Sequence, residues 1–169
     1  MPPLPTVPIG SHVFIDANIF IYGMNGHSPQ CRRFLERCAS EELIGISLFE
    51  IVNEATHQFM MAEARSKGMI PAKGLARDLN QNYQVIPMLS DYWTETERIL
   101  ELNLLLFPTH DELVRNAHPE RNRACLLTND SMILSCMREL EIDCLATNDG
   151  GFNRAPGITV FSPNDLIRA

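Results

Sequence analysis

Apolar residues along this chain fall in two rhythms. Short unbroken runs alternate with longer stretches in which apolar positions recur every three or four residues. The first rhythm marks strands buried on both faces of a parallel sheet, the second marks helices with one buried stripe. Val13-Phe14-Ile15 opens the series as a strand that ends at Asp16. Ile19-Phe20-Ile21-Tyr22 continues apolar until Gly23 and Asn25-Gly26 break the chain. Ser28 and Pro29 predict an N-cap and a first-turn proline, followed by a helix to about Ala39 with Cys31, Phe34, Leu35 and Cys38 on one face. Leu43-Ile44-Gly45-Ile46 predicts a second strand. Ser47, with Glu50 three residues on, predicts a capping box for a longer helix carrying Ile51, Val52, Ala55, Phe59 and Met60 to about Gly68.

A short helix is expected from Pro71 to Leu79, then a strand or extended packing segment over Tyr83-Gln84-Val85-Ile86. After Ser90 the pattern predicts a helix with Trp93, Ile99 and Leu100 inward. Leu104 to Phe107 fits a helix end or a strand. Pro108-Thr109 opens a helix to about Ala117, and Asp130 to Glu141 forms another with Met132, Ile133, Cys136, Met137 and Leu140 inside. Asp143 to Ala146 and Ile158 to Phe161 predict the closing strands, and Ser162-Pro163 a terminal helix. Strand and helix alternate without a long linker, repeat or low-complexity segment. This predicts a three-layer α/β/α domain with a mainly parallel central sheet. The 169 residues suit one domain with a sizeable core. Within it, 1–11 reads as an extended Pro-rich lead-in and 62–91 as a longer helical insertion.

Composition narrows the class. Hydrophobic content of 45% and charged content of 21% are those of an ordinary globular protein. The longest apolar stretches fall well short of the ~20 residues that cross a bilayer, so no membrane segment is expected. Met1 to Gly10 has neither a basic start nor an apolar core, and does not read as a signal peptide. Five cysteines, at 31, 38, 125, 136 and 144, include no CxxC pair. Zinc-ribbon and thioredoxin-like chemistry are thereby disfavoured, and the thiols are expected as reduced core residues of a cytoplasmic protein. A formal charge of -7 argues against strong non-specific coating of nucleic acid, which rests on Lys and Arg. It is compatible with an enzyme that touches a few nucleotides. Arg65, Lys67, Lys73 and Arg77 make a locally basic stretch, which suits RNA guidance, a partner contact or a solvated face.

Candidate chemistry lies in four acidic segments far apart in the chain: Phe14-Ile15-Asp16-Ala17-Asn18, Val52-Asn53-Glu54, Leu127-Thr128-Asn129-Asp130 and Ala146-Thr147-Asn148-Asp149. Each acid has an ordinary reading. Asp16 and Asp149 suit turns, Glu54 a solvated helix face, and Asp130 a helix N-cap. Taken together, they put a carboxylate beside an Asn or Thr on several elements feeding one sheet edge. Ligand sites in such sheets lie at the carboxyl ends of strands, where Asp16 and Asp149 fall. Carboxylates gathered in one place repel unless a cation joins them, and Mg²⁺ or Mn²⁺ takes oxygen ligands. Asn18, Ser47, Asn129, Thr147 and Asn148 are candidates to orient the carboxylates or waters. Glu54 and His57 form an ExxH pair, but a carboxylate-bridged di-iron bundle needs a second copy. GxGxxG, P-loop and GxSxG motifs are absent, which disfavours dinucleotide, P-loop nucleotide and α/β-hydrolase chemistry.

From Val13 to Pro163 the chain resembles PIN-domain proteins, particularly the VapC-like toxin ribonucleases of type II toxin–antitoxin pairs. Val13 to Ile21, with Asp16-Ala17-Asn18, is similar to the family's opening strand. Ser47 to Glu54 resembles its second strand and acid-bearing helix, and Asn129 to Ile133 its third acidic segment. Thr147-Asn148-Asp149-Gly150-Gly151-Phe152 resembles its closing Thr-x-Asp-x-x-Phe. The resemblance implies a Mg²⁺- or Mn²⁺-dependent endoribonuclease. By it, Asp16, Glu54, Asp130 and Asp149 are the catalytic and metal-holding set, supported by Thr147 and Asn18. A metal-activated water attacks phosphorus, leaving a 3′-hydroxyl and a 5′-phosphate. It also implies an RNA substrate and a small antitoxin partner.

The pattern departs from the family in places. Glu50 lies one turn before Glu54 on the same face and is the alternative ligand, with Glu54 preferred for the preceding Asn53. Gly151 stands where many relatives carry a further Asp. The 62–91 stretch is longer than in compact toxins and reads as a clamp over substrate or a dimer contact; a homodimer is expected. Rival readings are a PIN-like binding module without catalysis, a housekeeping RNA-processing nuclease, and a phosphatase of the haloacid-dehalogenase type. The last wants a second Asp where this chain has Asn18.

Overall fold

The structure, a computed structural model, describes residues 1–167. Val13, Phe14 and Ile15 are wholly buried in the first strand, His12–Ile15 (β1). Burying such side chains is worth about 1.5–3 kcal/mol each, which makes β1 the natural centre of a sheet. Around it lie Ile44–Leu48 (β2), Leu105–Phe107 (β3), Cys144–Ala146 (β4) and Thr159–Phe161 (β5). All five pair in parallel, in the order β3-β2-β1-β4-β5. The helices are Ala17–Met24 (α1), Pro29–Ala39 (α2), Phe49–Ser66 (α3), Ala76–Gln81 (α4), Asp91–Leu100 (α5), Asp111–Ala124 (α6) and Thr128–Glu139 (α7). The result is the expected three-layer α/β/α architecture, with a sheet that is parallel throughout.

The chain order sets where a ligand can enter. From β1 the chain passes outward through β2 to β3, then returns to the other side of β1 for β4 and β5. The reversal opens a crevice between β1 and β4 at their carboxyl ends, the place where open α/β sheets bind ligands. Ile15 pairs with Ala146, so Asp16 and Thr147 leave the sheet side by side. The main core packs Phe14, Phe20, Phe34 and Phe152 around these strands. A second, smaller cluster of Met61, Ala64, Ile70, Leu79 and Leu89 lies beneath the 62–91 stretch.

Several local expectations are corrected. Ile19 to Tyr22 belongs to α1. Ser47 is not a helix cap: it lies in β2, and its hydroxyl donates to the Ile15 carbonyl at 2.8 Å. Helix α3 therefore starts at Phe49 behind Leu48, with no side-chain cap. Helix α4 begins at Ala76, later than Pro71. Tyr83–Met88 is a 3₁₀ turn rather than a strand; it contains Pro87, which has no N–H to give a ladder. In α5 Ile99 is buried, but Trp93 and Leu100 are 49% and 48% exposed. The buried stripe instead runs through Thr96, whose hydroxyl meets that of Thr56 on α3 at 2.9 Å.

Helix α6 starts at Asp111, capped by His110, and passes Pro119 to end at Cys125, whose φ of 52° closes it in the left-handed region. Ser162 bridges to Pro3 instead of starting a terminal helix, and no helix follows it through residue 167; residues 168–169 of that expectation lie outside the described residues. The N-terminal segment is not extended throughout: Leu4–Thr6 makes a 3₁₀ turn that buries Leu4. Cys125 is exposed rather than in the core, whereas Cys31, Cys38 and Cys136 are buried. The basic stretch is drawn into local contacts, with Arg65 bonding the Gly74 carbonyl and Lys67 pairing with Glu63 and Asp91.

Candidate metal centre

Strand β1 ends because Asp16 takes the N-cap of α1, its Oδ1 accepting from Ala17 N at 2.7 Å. The other oxygen, Oδ2, accepts from the Thr147 hydroxyl at 2.6 Å and from the Asn18 side-chain amide. Thr147 is fully buried after β4, and its Oγ1 also accepts from Asn18 Nδ2 and Asp149 N, each at 3.0 Å. Asn18 completes the lacing, its Oδ1 accepting from Asn148 N at 2.9 Å. Two strand ends remote in sequence are thus tied by one Asp-Asn-Thr network. Such a network stiffens a carboxylate and fixes which lone pairs remain for a ligand.

Asp16, Glu54, Asp130 and Asp149 line one cavity of about 630 Å³, together with Asn18, Gln58, Asn129 and apolar Ile21, Ile51, Leu127 and Ile133. Glu54 comes from α3, Asp130 from the third position of α7, and Asp149 from the turn after β4. Asn129 Nδ2 donates to Glu54 Oε2 at 3.2 Å, joining α7 to α3 across the cavity. Asp149 Oδ1 accepts from Gly151 N at 2.7 Å. Glu50 does not line this cavity; it borders a smaller one beside it. Ser47 is buried in β2 and does not line the cavity, and the Asn148 side chain accepts from the Ser162 hydroxyl. Asp130 does not cap α7, because Leu127 holds that position.

The acids feel one another. Burial pushes Asp16 from its ordinary 3.8 up to about 6. The Thr147 hydroxyl and Ala17 N–H pull it back, and the charges of Glu54 and Asp130 raise it further. Asp130 is also raised, first by burial and next by Asp149, with Leu127 N–H and the Arg154 guanidinium opposing. Among the described residues no three His, Cys, Asp or Glu side chains lie close enough together to hold one ion. The donor chemistry nonetheless fits a hard divalent cation. All four anionic groups are oxygen donors, the kind a hard divalent cation takes. Magnesium keeps several of its own waters, so it needs few direct carboxylates.

Two residues escape the sequence reading. Gln58 lines the cavity one turn beyond Glu54, a spacing that could have flagged it. Arg154 gave no such signal. Its guanidinium bonds the Ala124 and Cys125 carbonyls at 3.1 and 2.8 Å, and so brings a positive charge near Asp130.

Comparison with known proteins agrees with the fold. A family model described as PIN domain matches residues 13–158. No curated protein matches. Among solved structures, VapBC2 from Rickettsia felis bound to a promoter DNA fragment is similar with a TM-score of 0.58 and 16% identity, covering 89% of this chain and 97% of that one. A toxin–antitoxin complex from Klebsiella pneumoniae gives 0.52 and 15%, over 88% and 96%. Mycobacterium tuberculosis VapC20, described as a sarcin–ricin loop cleaving toxin, gives 0.52 and 13%, over 86% and 96%. At these identities the likeness is one of fold.

Proposed function

This chain belongs to the PIN-domain family, and from that premise we propose that it is a Mg²⁺- or Mn²⁺-dependent endoribonuclease. The observation that carries the reading is the convergence of Asp16, Glu54, Asp130 and Asp149 on one cavity at the switch point of the sheet. In this proposal the carboxylates of Asp16, Glu54, Asp130 and Asp149 would hold the metal, directly or through water. A bound divalent cation supplies charge neutralisation for the phosphodiester and lowers the pKa of water.

The chain's own groups do the rest. Thr147 and Asn18 orient Asp16, and the Thr147 hydroxyl favours its ionised form against burial. Asn129 steadies Glu54 at the rim. Glu54 or Asp149, both exposed at the opening, takes the proton of the attacking water. Water oxygen bonds to phosphorus, the P–O3′ bond breaks, and the leaving oxygen is protonated. The products carry 3′-hydroxyl and 5′-phosphate ends.

The same reading makes the protein a toxin held in check by a small antitoxin, acting in the cytoplasm and forming a homodimer. Similarity in fold to two toxin–antitoxin structures and one toxin supports it. No helix among the described residues is long and apolar enough to cross a membrane. One domain spanning 1–169, with 62–91 as an insertion, completes the proposal. A PIN-like module without catalysis is the rival, favoured by the spread of the carboxylates. Incubation of single-stranded RNA with the purified protein decides between them. Cleavage that needs Mg²⁺ or Mn²⁺ and drops roughly 10²-fold or more in Asp149→Asn supports the nuclease. Intact RNA under every metal tried supports the module.

A further inference from the structure

The turn after β4 that carries Asp149 ends in Arg154. Gly150–Arg154 is one 3₁₀ segment with Asp149 as its N-cap. Phe152, in its middle, is wholly buried and roots the turn in the core. From its far end Arg154 reaches back to the close of α6. Nε donates to the Ala124 carbonyl at 3.1 Å and Nη2 to the Cys125 carbonyl at 2.8 Å. Ala124 is the last residue of α6 and Cys125 its left-handed cap. The final carbonyls of a helix lack partners within it, and a guanidinium fork serves two at once. Two residues after Cys125, Leu127 caps α7, and Asp130 stands at the third position of that helix. One side chain therefore ties the turn bearing Asp149 to the joint from which Asp130 departs. The charges of Asp149 and Arg154 both reach Asp130. The turn itself has little slack. Gly151 N donates to Asp149 Oδ1, and a Cβ at Gly151 would lie 3.0 Å from that oxygen and 3.4 Å from Arg154 Nη2.

We infer that Arg154 is a positioning residue: by clasping the end of α6 it sets the gap between Asp149 and Asp130, and through that gap the affinity of the four-acid cavity for a divalent cation. The inference rests on the metal-site reading proposed above. Three roles for Arg154 differ in sign. As a bare charge beside carboxylates it repels a cation, so its removal tightens cation binding. As a cap of α6 alone, it supports stability, and its removal leaves the carboxylates where they were. As a clasp, its removal lets the two acids drift apart, and a small ion with strict geometry then binds more weakly. Only the clasp loosens binding beyond what lost stability explains.

The test is a titration of MnCl₂ into metal-free protein, with free Mn²⁺ followed by electron paramagnetic resonance. It compares the wild type, Arg154→Ala, Arg154→Lys and Arg138→Ala. Arg138 is the control for stability: it bonds the Pro156 carbonyl from α7, just beyond the turn, and lines no part of the four-acid cavity. Arg154→Ala should weaken Mn²⁺ binding roughly tenfold or more. Arg154→Lys keeps the charge but has no fork to span two carbonyls, and should lose roughly threefold. Arg138→Ala should lower the urea midpoint yet bind Mn²⁺ within roughly twofold of the wild type. Arg154→Ala binding as tightly as the wild type, or more tightly, overturns the inference. So does an equal loss in Arg138→Ala, which would make the effect one of general stability. Wild-type affinity in Arg154→Lys also overturns it, and that variant decides alone if Arg154→Ala does not fold. A wild type that binds no Mn²⁺ overturns the clasp and the metal-site reading together. RNA cleavage then separates the two readings. The predicted order of affinities in a protein that cuts no RNA keeps the clasp and removes only the nuclease. In a protein that cuts, the Arg154→Ala deficit should shrink as Mn²⁺ is raised, because all four carboxylates remain; a deficit that ignores Mn²⁺ overturns the clasp.

Discussion

Asp16 meets two opposing demands. Burial and the neighbouring charges of Glu54 and Asp130 favour its protonated form, while Thr147 and Ala17 donate to its charged form. In the metal-free protein the balance leaves it at about 6, against an ordinary 3.8. Between those values the folded protein keeps a proton that the unfolded chain has released. Stability from this group is therefore full below about pH 4 and falls as pH rises through about 6. At ~1.4 kcal/mol per pKa unit the loss is on the order of 2–3 kcal/mol. Denaturant titrations in chelator from pH 3.5 to 7 should show this decline in the wild type and not in Asp16→Asn. Parallel profiles would remove the electrostatic account of Asp16. At this scale the sequence was informative about which acids matter and silent about their state. The Asp-x-Asn and Thr-Asn-Asp segments could be picked out, but the hydrogen bond of Thr147 to Asp16 spans 131 positions and no local pattern announces it.

Among the elements, the join of α3 to α5 depends on one buried acid. Glu63 is 5% exposed, and its carboxylate accepts from Ser90 N at 2.9 Å and Tyr92 N at 2.8 Å, capping α5 from another helix. Burial works against its charge, but Lys67 and those backbone N–H groups outweigh it and hold the pKa down to about 2, from 4.5. A carboxylate at a helix N-terminus also meets the positive end of the helix dipole. Its stabilisation is present above about pH 4.5 and is lost as pH falls toward about 2. Glu63→Gln should cost roughly 2 kcal/mol at pH 7, read as a lower urea midpoint with unchanged slope, and the deficit should shrink at pH 3. An equal deficit at both values would mean that packing, not charge, is what Glu63 supplies.

Strand β1 and helix α2 were legible because each is locally consistent: an unbroken buried run in one, a Ser-Pro start with a single apolar stripe in the other. Helix α5 was legible as a helix after Ser90 with Ile99 inward, but not in its full inward face, where Thr96 meets Thr56 and Trp93 and Leu100 stay exposed. Ser47 misled for a related reason. Its hydroxyl is taken by the neighbouring strand, which a reading of local spacing cannot see.

For the whole molecule, the central fact is topological. An all-parallel sheet whose chain reverses around β1 brings the ends of β1 and β4 together, and with them Asp16 and Asp149; α3 and α7 add Glu54 and Asp130 from either side. The alternation of apolar rhythms made this architecture readable, since parallel strands require crossover helices and those leave their own period in the chain. The spacing between the acids was beyond that reading. The most direct measurement of the account is an anomalous difference map from crystals soaked in MnCl₂. The account predicts a peak inside the four-acid cavity, with oxygens of Asp16 and Asp149 within about 2.0–2.3 Å of the metal or bridged to it by water. A map without a peak there, from protein that still cleaves RNA, would contradict it.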